Sequence, residues 1–329
     1  MKRIISLALC FLILLFAVGC SAAEDEKSDD NLIVVGFSQL GSESDWRAAN
    51  TQSISLALSE ENGYKLLFDN AKQNQENQLM AIRNFILQGV DIIVLAPAAE
   101  TGWDNVLLEA KAAGIPVIIV DREVSVEDEN LYMGRIGSDF LKEGEIAVSW
   151  LGNKLVSLGR GTEQINILHV KGTDGSTAQI MRTRALEEGV AGRSNWTIAA
   201  QLSGEFTEAK GYEVVRDYLK TNTDIDVIYS ENDNMTFGAM RALDEAGLTY
   251  GENGEIIIIS FDAVREALGY CLEGKINLCV ECNPLHGALL DQLIKQYYAG
   301  ESIPKYTYVE EAYFTRDNLS LEFIENRLY

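Results

Sequence analysis

Several short apolar runs in this chain stop at charged or amide side chains. Val117–Val120 ends at Asp121-Arg122, Val227–Ser230 at Glu231-Asn232-Asp233, 256–260 and Phe261 at Asp262, and 32–37 at Ser38-Gln39. Runs of this kind read as strands of an open parallel sheet, where ligands bind just outside the carboxyl ends. A carboxylate therefore stands at a strand end in each half of the chain, at Asp121 and at Asp262. Arg47, Arg122 and Arg182 add planar forks of N–H donors. Trp46 follows Ser42-Glu43-Ser44-Asp45, and Phe206 sits in Gly204-Glu205-Phe206. Aromatic plates beside charged donors and acceptors suit a small ligand with apolar C–H faces and hydroxyl edges, such as a sugar. Each residue has a plainer reading. Asp and Asn cap helices, and a lone Trp is more often core. The recurrence of a carboxylate in both halves and the Trp46-Arg47 pair at a helix start favour the ligand.

Other chemistries find less support. Two carboxylates can hydrolyse glycosides, but Arg122 beside Asp121 would hold that carboxylate ionised and unable to act as an acid. The only histidines are His169 and His286, and His169 lies inside the apolar run 165–170, where it reads as core. No nucleophile elbow or triad spacing occurs, so binding rather than catalysis is expected. Gly172-Thr173-Asp174-Gly175-Ser176 lacks the Gly-Lys-Ser/Thr ending of a phosphate loop. Cys279-Val280-Glu281-Cys282 has no second pair to complete a zinc site. No metal and no cofactor are expected.

The elements that must hold these residues alternate along the chain. Runs at 32–37, 65–68, 92–96 and Val117–Val120 are rich in Val, Ile and Leu, and are separated by helical spacing such as 74–88, with Leu79, Ile82, Phe85 and Ile86 on one stripe. Gly63, Gly89 and Gly114 close helices before the next strand. A second set follows at 166–170, 197–202, Val227–Ser230, 256–260 and 276–280, with helices around 176–188, 209–220, 235–246 and 285–298. Continuous rather than alternating strands imply parallel sheets covered on both faces. The expected fold is α/β, with two doubly wound parallel-sheet lobes. Material left after the second unit implies that the chain crosses between them more than once.

The first residues concern location. Lys2 and Arg3 precede an apolar run from Ile4 to Val18, and Ala17-Val18-Gly19-Cys20 follows. Fifteen residues fall short of the roughly 17–25 that span a bilayer, so 1–19 reads as a secretory signal. It resembles the bacterial lipobox, which implies that Cys20 is lipidated and anchors the chain. Residues 21–31, SAAEDEKSDDN, read with Cys20 as an acidic tether. Losing Lys2 and Arg3 takes the formal charge from −23 to −25, which argues against a nucleic-acid partner and for solubility outside the cell. With Cys20 acylated, Cys271, Cys279 and Cys282 remain, an odd number that leaves at least one thiol free.

The stretch from Val35 to Ala49, VGFSQLGSESDWRAA, resembles the ribose/galactose-type family of periplasmic sugar-binding proteins, and most of all its galactofuranose-binding subgroup. Gln75-Glu76-Asn77-Gln78, Gln88-Gly89-Val90-Asp91, Thr101-Gly102-Trp103, Asp121-Arg122, Leu131-Tyr132-Met133, Gly204-Glu205-Phe206-Thr207, Asn232-Asp233-Asn234-Met235 and Phe261-Asp262 extend the likeness over the chain from about residue 32. The resemblance implies a type I periplasmic binding fold with a three-segment hinge. The first lobe would be 32–137 with 284–306, and the second 138–283 with 307–329. It implies that Ser38, Trp46, Arg47, Asp121 and Arg122 line one side of the cleft, and Arg182, Phe206, Asn232 and Asp262 the other. Asn283, before Pro284, stands where the family often has an amide contact. Gly41-Ser42-Glu43-Ser44 replaces the Asn-Pro-Phe type loop of ribose binders, which argues against ribose. The implied protein is a monomeric, lipid-anchored binder that closes on a monosaccharide and hands it to an ABC transporter permease. A chemotaxis or signal receptor on the same scaffold is the alternative. A repressor would need a DNA-binding head where this chain has an export signal.

Overall fold

The computed structural model describes residues 32–329; the signal segment, Cys20 and the tether lie outside that range. The first five strands are β1 (Ile33–Gln39), β2 (Tyr64–Asn70), β3 (Ile92–Leu95), β4 (Val117–Val120) and β5 (Gly134–Gly137). Five more follow as β6 (Ile165–Lys171), β7 (Trp196–Ser203), β8 (Val227–Ser230), β9 (Ile257–Asp262) and β10 (Leu278–Glu281), then β11 (Tyr306–Tyr308) and β12 (Tyr313–Phe314). They form two six-stranded sheets, in the orders β11-β5-β4-β3-β1-β2 and β12-β10-β9-β8-β6-β7. All pairings are parallel except β10 with β12.

Among the described residues ten helices cover the sheets: α1 (Asp45–Ala57), α2 (Gln75–Gln88), α3 (Asp104–Ala112), α4 (Phe140–Ser157), α5 (Thr177–Ala191), α6 (Glu208–Leu219), α7 (Asp233–Ala246), α8 (Arg265–Glu273), α9 (Gly287–Tyr298) and α10 (Leu321–Glu325). Successive strand residues point to opposite faces, so an uninterrupted apolar strand feeds two cores. Val94, Ile118 and Val120 join Val35, Phe37, Ile54 and Leu290 on one side of the first sheet. Ile93, Leu95, Val117 and Ile119 join Phe85, Trp103 and Leu107 on the other. The second sheet separates two further clusters in the same way. This is the doubly wound architecture expected from the continuous strands. No helix among the described residues is long and apolar enough to cross a membrane.

The chain passes from the first sheet to the second after β5, back between β10 and α9, and again between β11 and β12. β11 pairs with β5, Thr307 opposite Ile136 and Tyr308 opposite Gly137. Thr307 and Tyr308, expected with the second lobe, thus run in the first sheet, and the third crossing begins after them. β5, GRIG, escapes a search for apolar runs because Ile136 is its one apolar side chain, beside two glycines and Arg135. That guanidinium is buried and donates to the carbonyls of Asp121, at 3.0 Å from Nε, and of Ser138, at 3.0 Å from Nη2.

Candidate binding site

The ends of β4, β8 and β9 and the starts of α1 and α5 converge on a cleft between the sheets. The space between atoms there is about 300 Å³, open solvent included. Trp46, Arg47, Asp121, Arg122, Arg182, Phe206, Asn232 and Asp262 line it, together with Glu43, Ser44, Phe140, Ala178 and Cys282.

One wall belongs to the first sheet. Ser44 caps α1 by accepting the Arg47 N–H at 3.2 Å, which sets Trp46 and Arg47 on the first turn facing β4. Arg47 Nη2 lies 2.7 Å from Asp121 Oδ2, and its Nε 3.0 Å from Glu43 Oε1. The Arg47 guanidinium also stacks over the Trp46 ring at 4.6 Å. Burial alone would raise the Asp121 carboxyl, but Arg47 and Arg122 hold it below its ordinary value, so it is ionised. Burial and the neighbouring Arg47 bring Arg122 down to about 10. Arg122 Nη1 donates to the Ala98 carbonyl at 3.0 Å, and its guanidinium faces the Phe206 ring at 5.3 Å.

The facing wall belongs to the second sheet. Arg182 on α5 is 2 % exposed, gives Nε to Glu143 Oε2 at 2.7 Å, and keeps Nη2 without a hydrogen-bond partner, 3.9 Å from Asp262 Oδ1. Burial pushes the Asp262 carboxyl well up, with Arg182 pulling the other way and Asp233, Glu143 and Asp121 adding to the rise. Phe206 can approach because Gly172 has no side chain; a Cβ there would fall 1.9 Å from Phe206 Cζ. Asn232 caps α7 through Oδ1, which accepts the Met235 N–H at 2.9 Å, and its Nδ2 donates to the Phe206 carbonyl at 3.1 Å.

The helix-cap reading therefore holds for Asn232 and fails for the two aspartates. A loop follows Asp121, and α8 begins after Val264, beyond Asp262. Both aspartates, and Phe206, instead adopt left-handed backbone, with φ of +66°, +103° and +59°. Such conformations are uncommon outside glycine and concentrate at functional sites. Two expected residues are elsewhere. Ser38 is fully buried behind the cleft, with its hydroxyl 3.5 Å from Gln78 Nε2. Asn283 spends its Oδ1 on the Leu285 N–H at 2.9 Å, bracing the second crossing. Among the residues not foreseen, only Glu43 leaves a trace in the sequence, as the i,i+4 partner of Arg47. Phe140, Ala178, Cys282 and Glu143 reach the site through tertiary placement alone. His169 is a core residue, as expected, with Nε2 2.9 Å from Glu231 Oε1.

The cleft is shut. The Asp45 N–H donates to Asn234 Oδ1 at 3.1 Å and Asn234 Nδ2 to Asp45 Oδ2 at 2.9 Å. The Glu123 N–H meets Thr177 Oγ1 at 2.9 Å, and the Glu100 N–H meets the Gly175 carbonyl at 3.2 Å. Each of these joins one wall's elements to the other's. Trp46 Nε1 adds a 2.6 Å bond to the Cys282 carbonyl in the second crossing.

A family model described as a periplasmic binding protein domain matches residues 35–301. The galactofuranose-binding protein YtfQ of Escherichia coli K12 is 35% identical over 313 residues, 94% of this chain and 96% of that protein. A structure from Mycobacterium smegmatis in complex with β-D-fucofuranose superposes with a TM-score of 0.82 at 41% identity, covering 87% of this chain and 92% of the other. The periplasmic binding component of the arabinose ABC transporter of Shewanella sp. ANA-3, bound to α- and β-L-arabinofuranose, gives 0.82 at 39% identity, with 89% and 95% covered. With two doubly wound lobes shut over a polar cleft, and with this family match across most of its length, the chain belongs to the periplasmic binding proteins as a type I, extracytoplasmic sugar-binding member of the ABC-importer class, and it is not an enzyme.

Proposed function

We propose that this protein captures a monosaccharide in its furanose form, galactofuranose in the first place, and delivers it to the permease of an ABC importer. The observation that carries the reading is the closed cleft, which brings buried arginines, carboxylates and an amide from the two walls together beside Trp46 and Phe206. The furanose ligands of the related structures support the ring form. Hydrogen bonds to charged groups contribute about 1.5–3 kcal/mol each, so a few hydroxyls bridging the walls suffice to favour the closed state. A wrong epimer leaves buried charges unpaired and is rejected accordingly. Trp46, Arg47, Asp121, Arg122, Arg182, Phe206, Asn232 and Asp262 are the proposed ligand-binding residues. The two sheets with their helices are the proposed rigid bodies, hinged at the three crossings. The resemblance at Cys20 supports a lipid anchor that keeps the binder near its permease, and Cys20→Ser should release it from the membrane fraction. A monomer is expected on gel filtration.

The direct test is a thermal-shift panel of galactofuranose, arabinofuranose, ribose, galactose and glucose. A ligand at a hundred times its dissociation constant stabilises by about 2.7 kcal/mol, so galactofuranose should give the largest shift. A larger response to a pyranose sugar would overturn the ring-form assignment.

A further inference from the structure

The three crossing segments meet at one carboxyl. Ser138, in the first crossing, donates its hydroxyl to Glu311 Oε1 in the third. The Asn283 N–H of the second crossing donates to the same oxygen at 2.9 Å. Cys282 Sγ lies 3.2 Å from Ser138 Oγ. An oxygen of Glu311, Cys282 Sγ and an oxygen of Glu143 all fall within 4.8 Å of one another. Glu143 is 2 % exposed, and its Oε1 has no hydrogen-bond partner. Its other oxygen holds Arg182, whose free Nη2 belongs to the cleft.

Two carboxyls this close cannot both ionise without strong repulsion, and a proton on one of them removes it. We propose, on the basis of the sugar-binding reading above, that Glu311 is a positioning residue of this hinge: protonated, it lies beside Glu143 without repulsion and lets Glu143 hold Arg182 in place for the ligand, and on ionising it repels Glu143 and disturbs that hold. The surroundings set the range. Burial, then Glu143, push the Glu311 carboxyl up to about 8 against the bonds from Ser138 and Asn283 and the more distant Arg182. Glu143 is itself raised by burial despite Arg182, and burial keeps the Cys282 thiol protonated. Arg182 is the cation that acts on this group, and it is already engaged by Glu143. The folded-state value lies above the ordinary 4.5, so the stabilising contribution is complete below about 4.5 and is lost as pH rises through about 8.

The experiment is calorimetric titration with D-galactose at mutarotation equilibrium, from about pH 6 to about pH 9, on wild type and Glu311→Gln, alongside melting curves of both without ligand. Glutamine keeps the neutral shape of the protonated acid. Wild-type affinity should fall about tenfold across the basic half of that range, the change that one unit of pKa difference between open and closed forms produces. Glu311→Gln should stay flat at the wild-type acidic value. A flat wild-type profile, or the same decline in the variant, would overturn the proposal. So would loss of affinity on adding EDTA at neutral pH, which would put a cation rather than a proton among Glu143, Cys282 and Glu311. Absence of binding at every pH overturns the sugar-binding reading and this role with it. That case is told apart by the ligand-free melting curves, where the wild type still loses more stability toward basic pH than Glu311→Gln, which keeps only the decline owed to Asp233.

Discussion

The two walls of the cleft hold their charges differently. On the first, Arg47 and Arg122 face Asp121 and Glu43, two cations for two carboxylates, and Asp121 is held ionised below its ordinary value. On the second, Arg182 serves Glu143 and Asp262, with Asp233 behind them, and burial pushes Asp262 well up and Asp233 to about 7. Burial pushes Asp121, Asp262 and Asp233 up alike, and the close Arg47 and Arg122 overcome it at Asp121 where the more distant arginines do not at the other two. The first wall is a set of fixed charges. The second takes up protons, and it is the one that adjoins the hinge cluster at Glu143 and Glu311.

Asp121→Asn should produce the largest effect. Asparagine tolerates the left-handed backbone at this position, so the change removes charge and little else. Arg122 then loses its counter-charge and Arg47 is left with Glu43 alone, and breaking a buried pair costs about 3–5 kcal/mol. Sugar affinity by calorimetry should fall more than about a hundredfold with the circular dichroism of the fold retained; wild-type affinity would remove Asp121 from the site. The same variant sharpens the contrast in pH. Because Asp121 is lowered from 3.8, its contribution to stability is present above that value and lost as pH falls below it. Asp233, raised from 3.8 to about 7, behaves oppositely: its contribution is complete below 3.8 and lost as pH rises through about 7. Melting temperature against pH should therefore decline at both ends, and Asp121→Asn should soften the acid limb alone.

Arg182→Met comes next. It deletes the cation that Glu143 and Asp262 share and leaves both to hold protons instead. Affinity should drop by about ten- to a hundredfold, for the loss of one charged hydrogen bond, with less harm to folding than at Asp121. A destabilisation as large as that of Asp121→Asn would show that the two walls are not so different.

Gly172→Ala probes the aromatic plate without touching a polar group. The added methyl would overlap the Phe206 ring and displace it from Arg122, whose contact with an aromatic face contributes about 0.5–2 kcal/mol. A loss of about three- to tenfold in affinity is expected, and an unchanged titration would relegate Phe206 to core filling. Asn234→Ala removes the pair of bonds to Asp45 at the rim. These are exposed, so about a twofold weakening, and a shift of the unliganded protein toward the open form in small-angle scattering, should be the whole effect.

Much of this candidate site is legible in the sequence. Asp121, Asn232 and Asp262 stood out because apolar strands stop there, and polar side chains at strand ends have little reason to be buried unless they serve a ligand or a cap. The cap explanation proved right for Asn232 and wrong for the aspartates, and only backbone dihedrals separate the two cases. Ser38 occupies an equally good strand end, yet its hydroxyl points into the packing around Gln78, since neighbouring strand residues face opposite ways. Asn283 precedes a proline in a crossing segment, where its amide is needed to close the local turn. Strand β5 was missed because a buried arginine interrupts it.

The order of apolar runs and helix signals was enough to determine two parallel-sheet units, since periodicity and strand-end chemistry are local properties of the chain. The strand-end carboxylates and the arginine forks were legible for the same reason. Where the third crossing begins, how Glu43 joins Arg47 and Asp121, and how Glu143 comes to lie between Arg182 and Glu311 were decided by the folded structure. Glu143 and Glu311 are 168 positions apart in the chain, and no local pattern records that distant segments will share one dry space. The charge state of each carboxyl follows from that sharing, because burial and the nearest guanidinium, not residue type, set its pKa.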